Sequence, residues 1–206
     1  MNISRIIGSL VAGSLIAQFG IGSAYLFATL GSLLGIAFLW RIPRNSPSTN
    51  IKAPFWEGIK QGMIYAWGNS TIKRLLILSL FMEAFGFSHF VMMPVMARDV
   101  LEVGPVGLGY LSAASGFGSA LSTIAVASLG DFHRKGVLLT VAALSAGISL
   151  VLFALSPWFI VSLLLVALVG GALMAYDVTM ATMLQLLSID KMRGRILGIY
   201  GLTFGF

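Results

Sequence analysis

The stretch that decides the fold is VLLTVAALSAGISLVLFALSPWFIVSLLLVALVGGALMAY, residues 137–176. It contains 40 residues and no Asp, Glu, Lys or Arg. As one helix it would be about 60 Å long, roughly twice the hydrocarbon thickness of a bilayer. Ser156-Pro157-Trp158 lies at its middle and is typical of a turn. The stretch therefore predicts two membrane-spanning helices joined by that turn.

Other apolar runs predict further spans on both sides of this stretch. They are Ile6–Phe19, Ala24–Leu39, Leu75–Ala97, Val106–Leu129 and the run Ile196–Phe206, which reaches the end of the sequence. Membrane β-strands would need alternating segments of about ten residues, whereas these runs are apolar on every face. The predicted fold class is therefore an all-α membrane protein, a polytopic helical bundle with six complete or nearly complete spans and one truncated span.

The composition excludes several classes of protein and site. Hydrophobic residues make up 58% of the chain and charged residues 10%, whereas soluble domains are about 25% charged. The absence of cysteine and the presence of only two histidines exclude a disulfide framework, thiolate metal sites and a histidine metal cluster. No phosphate-binding Gly-x-x-x-x-Gly-Lys-Ser/Thr loop and no Ser-His-Asp or dicarboxylate catalytic set is present. We therefore expect a protein that is not an enzyme and has no catalytic residues, metal or cofactor.

The positive charges predict how the spans are oriented. Twelve of the thirteen Lys and Arg residues precede the first span or lie in the loops after the second, fourth and sixth spans. The loops on the opposite side contain Arg98 alone. Because Lys and Arg favour cytoplasmic loops, we place the basic loops in the cytoplasm. This distribution explains the basic composition without a nucleic-acid partner.

Residues 41–71 form the one long polar connection between predicted spans. Its first part contains three prolines among Asn, Ser and Thr, which is typical of a flexible linker. Apolar residues then follow helical spacing at Phe55, Ile59, Met63, Ala66 and Trp67. This pattern predicts an amphipathic helix on the inner membrane surface. The alternative is a short polar-capped extension of the next span.

Small residues repeat every four positions in two of the predicted spans. The two sets are Ser112, Gly116 and Ala120, and Ala167, Gly171 and Ala175. Such stripes let membrane helices approach closely, so we predict a packing role for them.

Three short stretches are more specific than composition. They are ASLGDFHRKG at 127–136, DKMRGRILG at 190–198 and GSLVAG at 8–13. In that order they resemble three motifs of the major facilitator superfamily. Residues 127–136 resemble the cytoplasmic loop motif Gly-x-x-x-Asp-Arg-x-Gly-Arg-Lys/Arg. Residues 190–198 resemble the Arg-Gly-Arg loop before the eleventh span. Residues 8–13 resemble the fifth-span antiporter motif Gly-x-x-x-Gly-Pro-x-x-Gly-Gly without its proline. The chain is similar to the drug- and siderophore-exporter branch, the enterobactin-exporter and macrolide-efflux group.

This resemblance implies that the chain covers the fifth to the eleventh span of a twelve-helix fold in the bacterial inner membrane. Residues 1–40 would end the N-terminal bundle, residues 41–71 would be the cytoplasmic linker, and residues 72–206 would form the C-terminal bundle. The implied function is efflux of a small amphipathic molecule by alternating access, coupled to protons, with substrate near the midplane. The partners are then the lipid bilayer, the substrate and the missing spans of the same transporter.

The resemblance also assigns a conformational or gating role to residues within these motifs. They are Gly8, Gly13, Asp131, Arg134, Lys135, Arg193 and Arg195. An aspartate at a helix end can pair with basic groups or with a neighbouring helix N-terminus and so hold one conformation. Asp177, roughly 28 Å along the helix from Trp158, is predicted near the inner interface, either in a gating contact or at a solvated helix end.

Ionisable residues inside the predicted spans are candidates for substrate contact or proton coupling. Glu83 lies about 12 Å beyond Leu75, close to the midplane, where an ionisable group is costly. A carboxyl there can bind and release a proton, although a structural hydrogen bond to a neighbouring helix is the alternative. His89 faces a direction about 240° away from Glu83 and does not pair with it. The alternative to a coupling role for His89 is a satisfied interior histidine. Met82 and Phe85 suit a promiscuous apolar pocket or a face toward lipid and neighbouring helices.

Two other functions stay open at this stage. A membrane subunit of an ATP-driven transporter would need a partner ATPase, which would co-purify with it. A truncated product would have half of the central cavity and no transport activity of its own. The DNA on both sides of the coding segment distinguishes a fragment from a truncation.

Overall fold

The computed structural model describes a set of helices. It describes residues 8, 11, 12, 15, 16, 18–40, 55–86, 88–130, 132 and 134–203. Within these ranges all regular structure is helical, which confirms the predicted all-α class. The helices are α1 Ile21–Trp40, α2 Phe55–Gly68, α3 Ser70–Gly86, α4 His89–Val95, a π-helical segment Met96–Val100, α5 Gly104–Ser128, α6 Lys135–Ala154, α7 Phe159–Leu187 and α8 Asp190–Thr203.

Four described segments are long and apolar enough to cross a membrane. They are Ser70–Val100, Gly104–Ser128, Lys135–Ala154 and Phe159–Leu187, and they coincide with four of the predicted spans. α1 is a 20-residue helix over the second predicted span, and α8 covers the beginning of the last one. Half of the residues of Ile6–Phe19 and the end of Ile196–Phe206 lie outside the described residues.

The turn predicted at Ser156-Pro157-Trp158 is confirmed, because α6 ends at Ala154 and α7 begins at Phe159. The far end of the second span was predicted wrongly. The charge-free run ends before Asp177, but α7 continues to Leu187, about 15 Å further along its axis. Asp177 is therefore inside a helix, and the alternative of a solvated helix end is wrong.

A single capping residue separates α2 from α3. The Oδ1 atom of Asn69 accepts hydrogen bonds from the backbone N–H groups of Thr71 at 3.0 Å and Ile72 at 3.2 Å. These groups have no partner inside their own helix, so the side chain satisfies them as an N-cap. The helix before the cap is consequently a separate element rather than a continuation of α3.

Replacing Asn69 with alanine is expected to destabilise the protein by about 1 kcal/mol, because the cap of α3 is lost. Thermal unfolding of the purified protein in detergent measures the change as a lower apparent Tm. Asn69→Asp keeps the capping oxygen and is expected to retain most of the stability. Ser70→Ala, at the exposed neighbouring position, is the matched control. An Asn69→Ala protein as stable as the control would contradict a capping role.

α2 packs on α8 through a glycine. A Cβ atom on Gly62 would lie 2.9 Å from Cδ1 of Ile199 and 3.1 Å from Cβ of Arg195. Ala66, one turn further along α2, is completely buried. Trp67, on the face predicted to meet the membrane surface, is 56% exposed. Gly62 and Ala66 of α2 thus face protein, whereas Trp67 is largely exposed.

α7 packs along both α5 and α6, and its contact with α5 is close enough for backbones to touch. A Cβ atom on Gly118 would collide with the backbone of Ala167, and one on Gly170 would collide with Ser115. The Ser119 hydroxyl donates a hydrogen bond to the Gly170 carbonyl at 2.9 Å. The predicted close packing of small residues is confirmed, although on α5 the tightest contacts lie to one side of the predicted stripe.

The buried side chains form clusters that join different helices. One cluster contains Ala66, Ile72, Leu75, Leu76, Leu139, Ala142, Tyr176, Met180, Leu184, Ile196, Ile199 and Tyr200. It connects α2, α3, α6, α7 and α8. A second cluster contains Met93, Ala97, Leu111, Phe153 and Val166. The first cluster matters for function because its two tyrosines lie beside the acidic residues of the spans.

Candidate functional site

Two acidic residues from different spans lie together between α3 and α7. The carboxyl of Glu83 is close enough to Asp177 for the two groups to interact electrostatically. Both side chains are half-buried. The sequence suggested separate roles for them, coupling for Glu83 and gating for Asp177. The structure instead places the two carboxyls within electrostatic range of each other, and we call them the carboxyl pair.

A close helix approach positions the carboxyl pair. A Cβ atom on Gly86 would lie 2.8 Å from Cδ2 of Leu173, so the absence of a side chain lets α3 approach α7. Gly86 is about one turn after Glu83, and Leu173 is about one turn before Asp177. Because the two helices run in opposite directions, contact at Gly86 and Leu173 sets Glu83 opposite Asp177.

Two tyrosines complete the surroundings of the carboxyl pair. The Tyr200 hydroxyl donates a long hydrogen bond of 3.4 Å to Oδ1 of Asp177, and its ring is 5% exposed. Tyr176 is 1% exposed, and its hydroxyl has no hydrogen-bond partner among the described residues. Both hydroxyls lie within electrostatic range of both carboxyls. The site thus combines two carboxyls and two phenols from α3, α7 and α8.

This arrangement has the chemistry of a proton-binding site. Two carboxylates repel each other strongly where the surroundings are apolar, because the effective dielectric constant is low. One proton held by the pair removes that repulsion. A tyrosine hydroxyl can donate a hydrogen bond to a carboxylate and can accept one from a protonated carboxyl. The carboxyl pair can therefore exist with and without a bound proton.

Met82 and Phe85, which the sequence grouped with Glu83, differ in how far they are exposed. Met82 is partly buried and packs on the cluster that contains both tyrosines. Phe85 is 68% exposed and stacks on Phe81 with ring centroids 6.4 Å apart. Two residues along a helix correspond to about 200°, so Phe85 and Glu83 point in nearly opposite directions. The carboxyl pair and the exposed aromatic face are separate features.

His89 does not join the carboxyl pair either. It is the first residue of α4 and is 2% exposed. Its Nδ1 atom lies 2.7 Å from the carbonyl oxygen of Gly86, and its ring contacts Phe90 with centroids 4.1 Å apart. These contacts account for its burial and agree with the prediction that it does not pair with Glu83.

The arginines of the 190–198 stretch make local contacts at the corner between α7 and α8. Arg193 forms a salt bridge of 2.8 Å with Asp190 and donates from Nε to the carbonyl of Gln185 at 3.2 Å. Arg195 is half-buried and lies 3.2 Å from the sulfur of Met192. Arg193 therefore fastens the start of α8 to the end of α7.

The loop between α5 and α6 is described only in part. Lys135 is the first residue of α6, and its Nζ atom donates to the carbonyl of Phe132 at 3.0 Å. Arg134 precedes it and is exposed. Asp131, predicted to have a gating role, lies outside the described residues.

Gly8, in the stretch at 8–13, makes no close helix contact in the described structure. Gly13 lies outside the described residues, and Gly8 is described as helical and exposed. A Cβ atom on Gly8 would meet no described atom within 4 Å. In the part of the chain that the structure describes, Gly8 is therefore not at a close helix crossing.

Comparison with known proteins identifies the family of the chain. A family model described as transmembrane secretion effector matches residues 1–205. The chain belongs to the transmembrane secretion effector family. This assignment and the relatives below confirm the resemblance to major facilitator transporters, and they support a role in transmembrane transport.

The relatives of this family member are exporters by name. Enterobactin exporter EntS of Escherichia coli O1:K1 is 23% identical over 200 residues, which are 97% of this chain and 48% of the relative. EntS of Shigella flexneri is 23% identical over 200 residues, 47% of its length. The chain thus spans about half the length of the curated relatives it matches. No solved structure matches the chain.

Sequence reasoning missed Tyr176, Tyr200 and Gly86, which surround or position the carboxyl pair. Tyrosine is common in apolar helices, so neither phenol differed from the surrounding aromatic residues. Only the adjacency of Tyr176 to Asp177 in the chain was a usable signal. Gly86 is one of 24 glycines, and nothing in its local sequence distinguishes a crossing point from an ordinary small residue.

Proposed function

We propose that the protein exports small amphipathic molecules across the bacterial inner membrane in exchange for protons, by alternating access. The observation that supports this most is the pairing of Glu83 with Asp177 within membrane-spanning helices. Ionisable residues at such depth are costly and mark ion or substrate pathways. The two carboxyls come from different helices, so a relative movement of α3 and α7 would change their separation. A change in separation would change their affinity for a proton.

The packing supports a division of the chain into two bundles and a linker. α3, α6, α7 and α8 share one buried cluster, which fits residues 72–206 as the C-terminal bundle. The described side chains of α1 are exposed, with Ser23 half-buried. Such a surface fits residues 1–40 as the end of the N-terminal bundle, with its partner helices elsewhere in the transporter. Residues 41–71 would then be the linker, and α2 would be the part of it that is fixed to α8.

We place the basic loops in the cytoplasm, where they would control opening. The support is the distribution of Lys and Arg, twelve of thirteen on one side. Arg193 and Arg195 at the α7–α8 corner, with Arg134, Lys135 and Asp131 at the α5–α6 loop, would form contacts of one conformational state. The contacts between α7 and α8 would link this side to the carboxyl pair.

The substrate class follows from the relatives rather than from a described pocket. Relatives that cover this chain almost entirely are named for enterobactin export. We therefore propose enterobactin as the first compound to test. A macrolide is the second, because the sequence also resembles macrolide-efflux proteins.

Transport in everted membrane vesicles tests this function. The vesicles contain the product of the complete reading frame around these residues, and respiration makes their interior acidic. We expect uptake of labelled enterobactin or of a labelled macrolide that a protonophore reduces to the level of vesicles without the protein. Uptake that resists the protonophore and requires ATP would contradict proton coupling and favour an ATP-driven transporter.

A further inference from the structure

We propose that Tyr200 is a positioning residue for proton coupling: its hydroxyl holds the Asp177 carboxyl opposite Glu83 and sets how readily that carboxyl takes a proton. The inference rests on the proposed function, since it concerns the same carboxyl pair. It goes further by assigning a role to a residue of α8 that carries no charge.

The ring of Tyr200 is held in one place by its neighbours. It belongs to the buried cluster with Leu76 of α3 and Met180 of α7, and only 5% of the residue is exposed. A tyrosine ring has two rotatable side-chain bonds, and packing on both sides fixes them. The hydroxyl is therefore presented to Oδ1 of Asp177, at 3.4 Å, by a rigid support.

A second contact fixes the same pair of helices two turns away. Arg193 donates to the carbonyl of Gln185 at 3.2 Å. Arg193 is about two turns before Tyr200 on α8, and Gln185 is about two turns after Asp177 on α7. Both contacts thus lie along one seam between α7 and α8. Because the seam is fastened at its end, α8 keeps the phenol at a constant position relative to Asp177.

Few titratable groups face Asp177 from the helices that surround it. α3 contributes Glu83, α7 contributes Tyr176 and α8 contributes Tyr200. The sequences of α5 and of α6 after Lys135 contain no Asp, Glu, Lys, Arg or His. Of the two phenols, only that of Tyr200 hydrogen-bonds to the aspartate in the described structure. This difference makes Tyr176 an informative comparison.

Infrared difference spectroscopy measures the protonation of Asp177 without a transport assay. The product of the complete reading frame is purified, returned to lipid and titrated, and the carboxyl band lost in Asp177→Asn is assigned to that residue. In Tyr200→Phe we expect the midpoint of this band to move to higher pH by roughly half to one unit, because the ionised form loses a donor. Tyr176→Phe is expected to move the midpoint less, and Tyr110→Phe, on the exposed end of α5, not at all.

Three results would overturn the proposal, and they are distinguishable. An unchanged midpoint in Tyr200→Phe removes the role of Tyr200 and leaves the proposed function intact. Equal shifts in Tyr176→Phe and Tyr200→Phe show a general effect of polarity rather than this hydrogen bond. A spectrum in which neither Asp177→Asn nor Glu83→Gln removes a titrating band contradicts proton coupling itself, and this role with it.

A measurement on the unmodified protein covers the case in which Tyr200→Phe does not fold. Tyrosine labelled in the ring reports changes in the phenol hydrogen bond. We expect a tyrosine band that shifts with the same midpoint as the Asp177 carboxyl band and persists in both Tyr110→Phe and Tyr176→Phe. The absence of any such band would overturn the proposal.

Discussion

Replacing Glu83 with glutamine is expected to abolish proton-dependent export while the protein still reaches the membrane in normal amount. Glutamine keeps the size and the hydrogen-bonding capacity of the side chain but cannot bind and release a proton. Uptake into everted vesicles with an acidic interior should therefore fall to the level of vesicles without the protein. The amount of protein in the membrane, measured on the same vesicles, separates a loss of coupling from a loss of folding.

Glu57→Gln is the matched control, because Glu57 is exposed on α2 and lies outside the carboxyl pair. It is expected to leave the uptake rate and its dependence on the gradient unchanged. Undiminished, protonophore-sensitive uptake by Glu83→Gln would contradict the assignment of Glu83 to proton coupling.

The two carboxyls are expected to act as one unit. Glu83→Gln, Asp177→Asn and the double variant should then lose export to a similar extent, because groups that act together give strongly non-additive effects. Independent roles, with Glu83 in coupling and Asp177 in gating, would instead leave Asp177→Asn with slower uptake that still depends on the proton gradient. The comparison distinguishes the site seen in the structure from the separate roles suggested by the sequence.

The sequence predicted the helices well because membrane spans leave a strong local signal. A charge-free run of 40 residues can only be accommodated by a turn, and the turn at Ser156-Pro157-Trp158 is where the structure has it. The assumption that a charged residue ends a span failed at Asp177, because this residue lies inside α7. α7 continues past it to Leu187, and the residues that follow Asp177, 178–189, again carry no charge.

The candidate site was predictable only as separate residues. Glu83 was found because an acidic residue in an apolar run is costly. Its pairing with Asp177 depends on which helices cross and at what height. That height is fixed by the contact between Gly86 and Leu173, a long-range property that helical periodicity does not encode. The helical spacing predicted that His89 does not pair with Glu83, although in the structure the two residues lie on separate helices, α3 and α4.

Replacing Gly118 with alanine is expected to destabilise the protein by about 2–3 kcal/mol. A Cβ atom at this position would collide with the backbone of Ala167, and a backbone cannot rotate away as a side chain can. α5 and α7 would have to separate, which costs more than the roughly 1 kcal/mol that alanine gains over glycine in a helix. The hydrogen bond from Ser119 to the Gly170 carbonyl, 2.9 Å long, would be lengthened as well.

Gly147→Ala on α6 is the matched control for Gly118→Ala, since a Cβ atom there would meet no described atom within 4 Å. It is expected to be as stable as the unmodified protein or slightly more stable. Loss of monodisperse protein on heating in detergent, followed by size-exclusion chromatography, gives the apparent Tm of each variant. Equal values for the two variants would show that α5 and α7 separate easily at this crossing. α7 could then move independently of α5. A change in the separation of Glu83 and Asp177 would in that case not require α5 and α7 to move as one rigid unit.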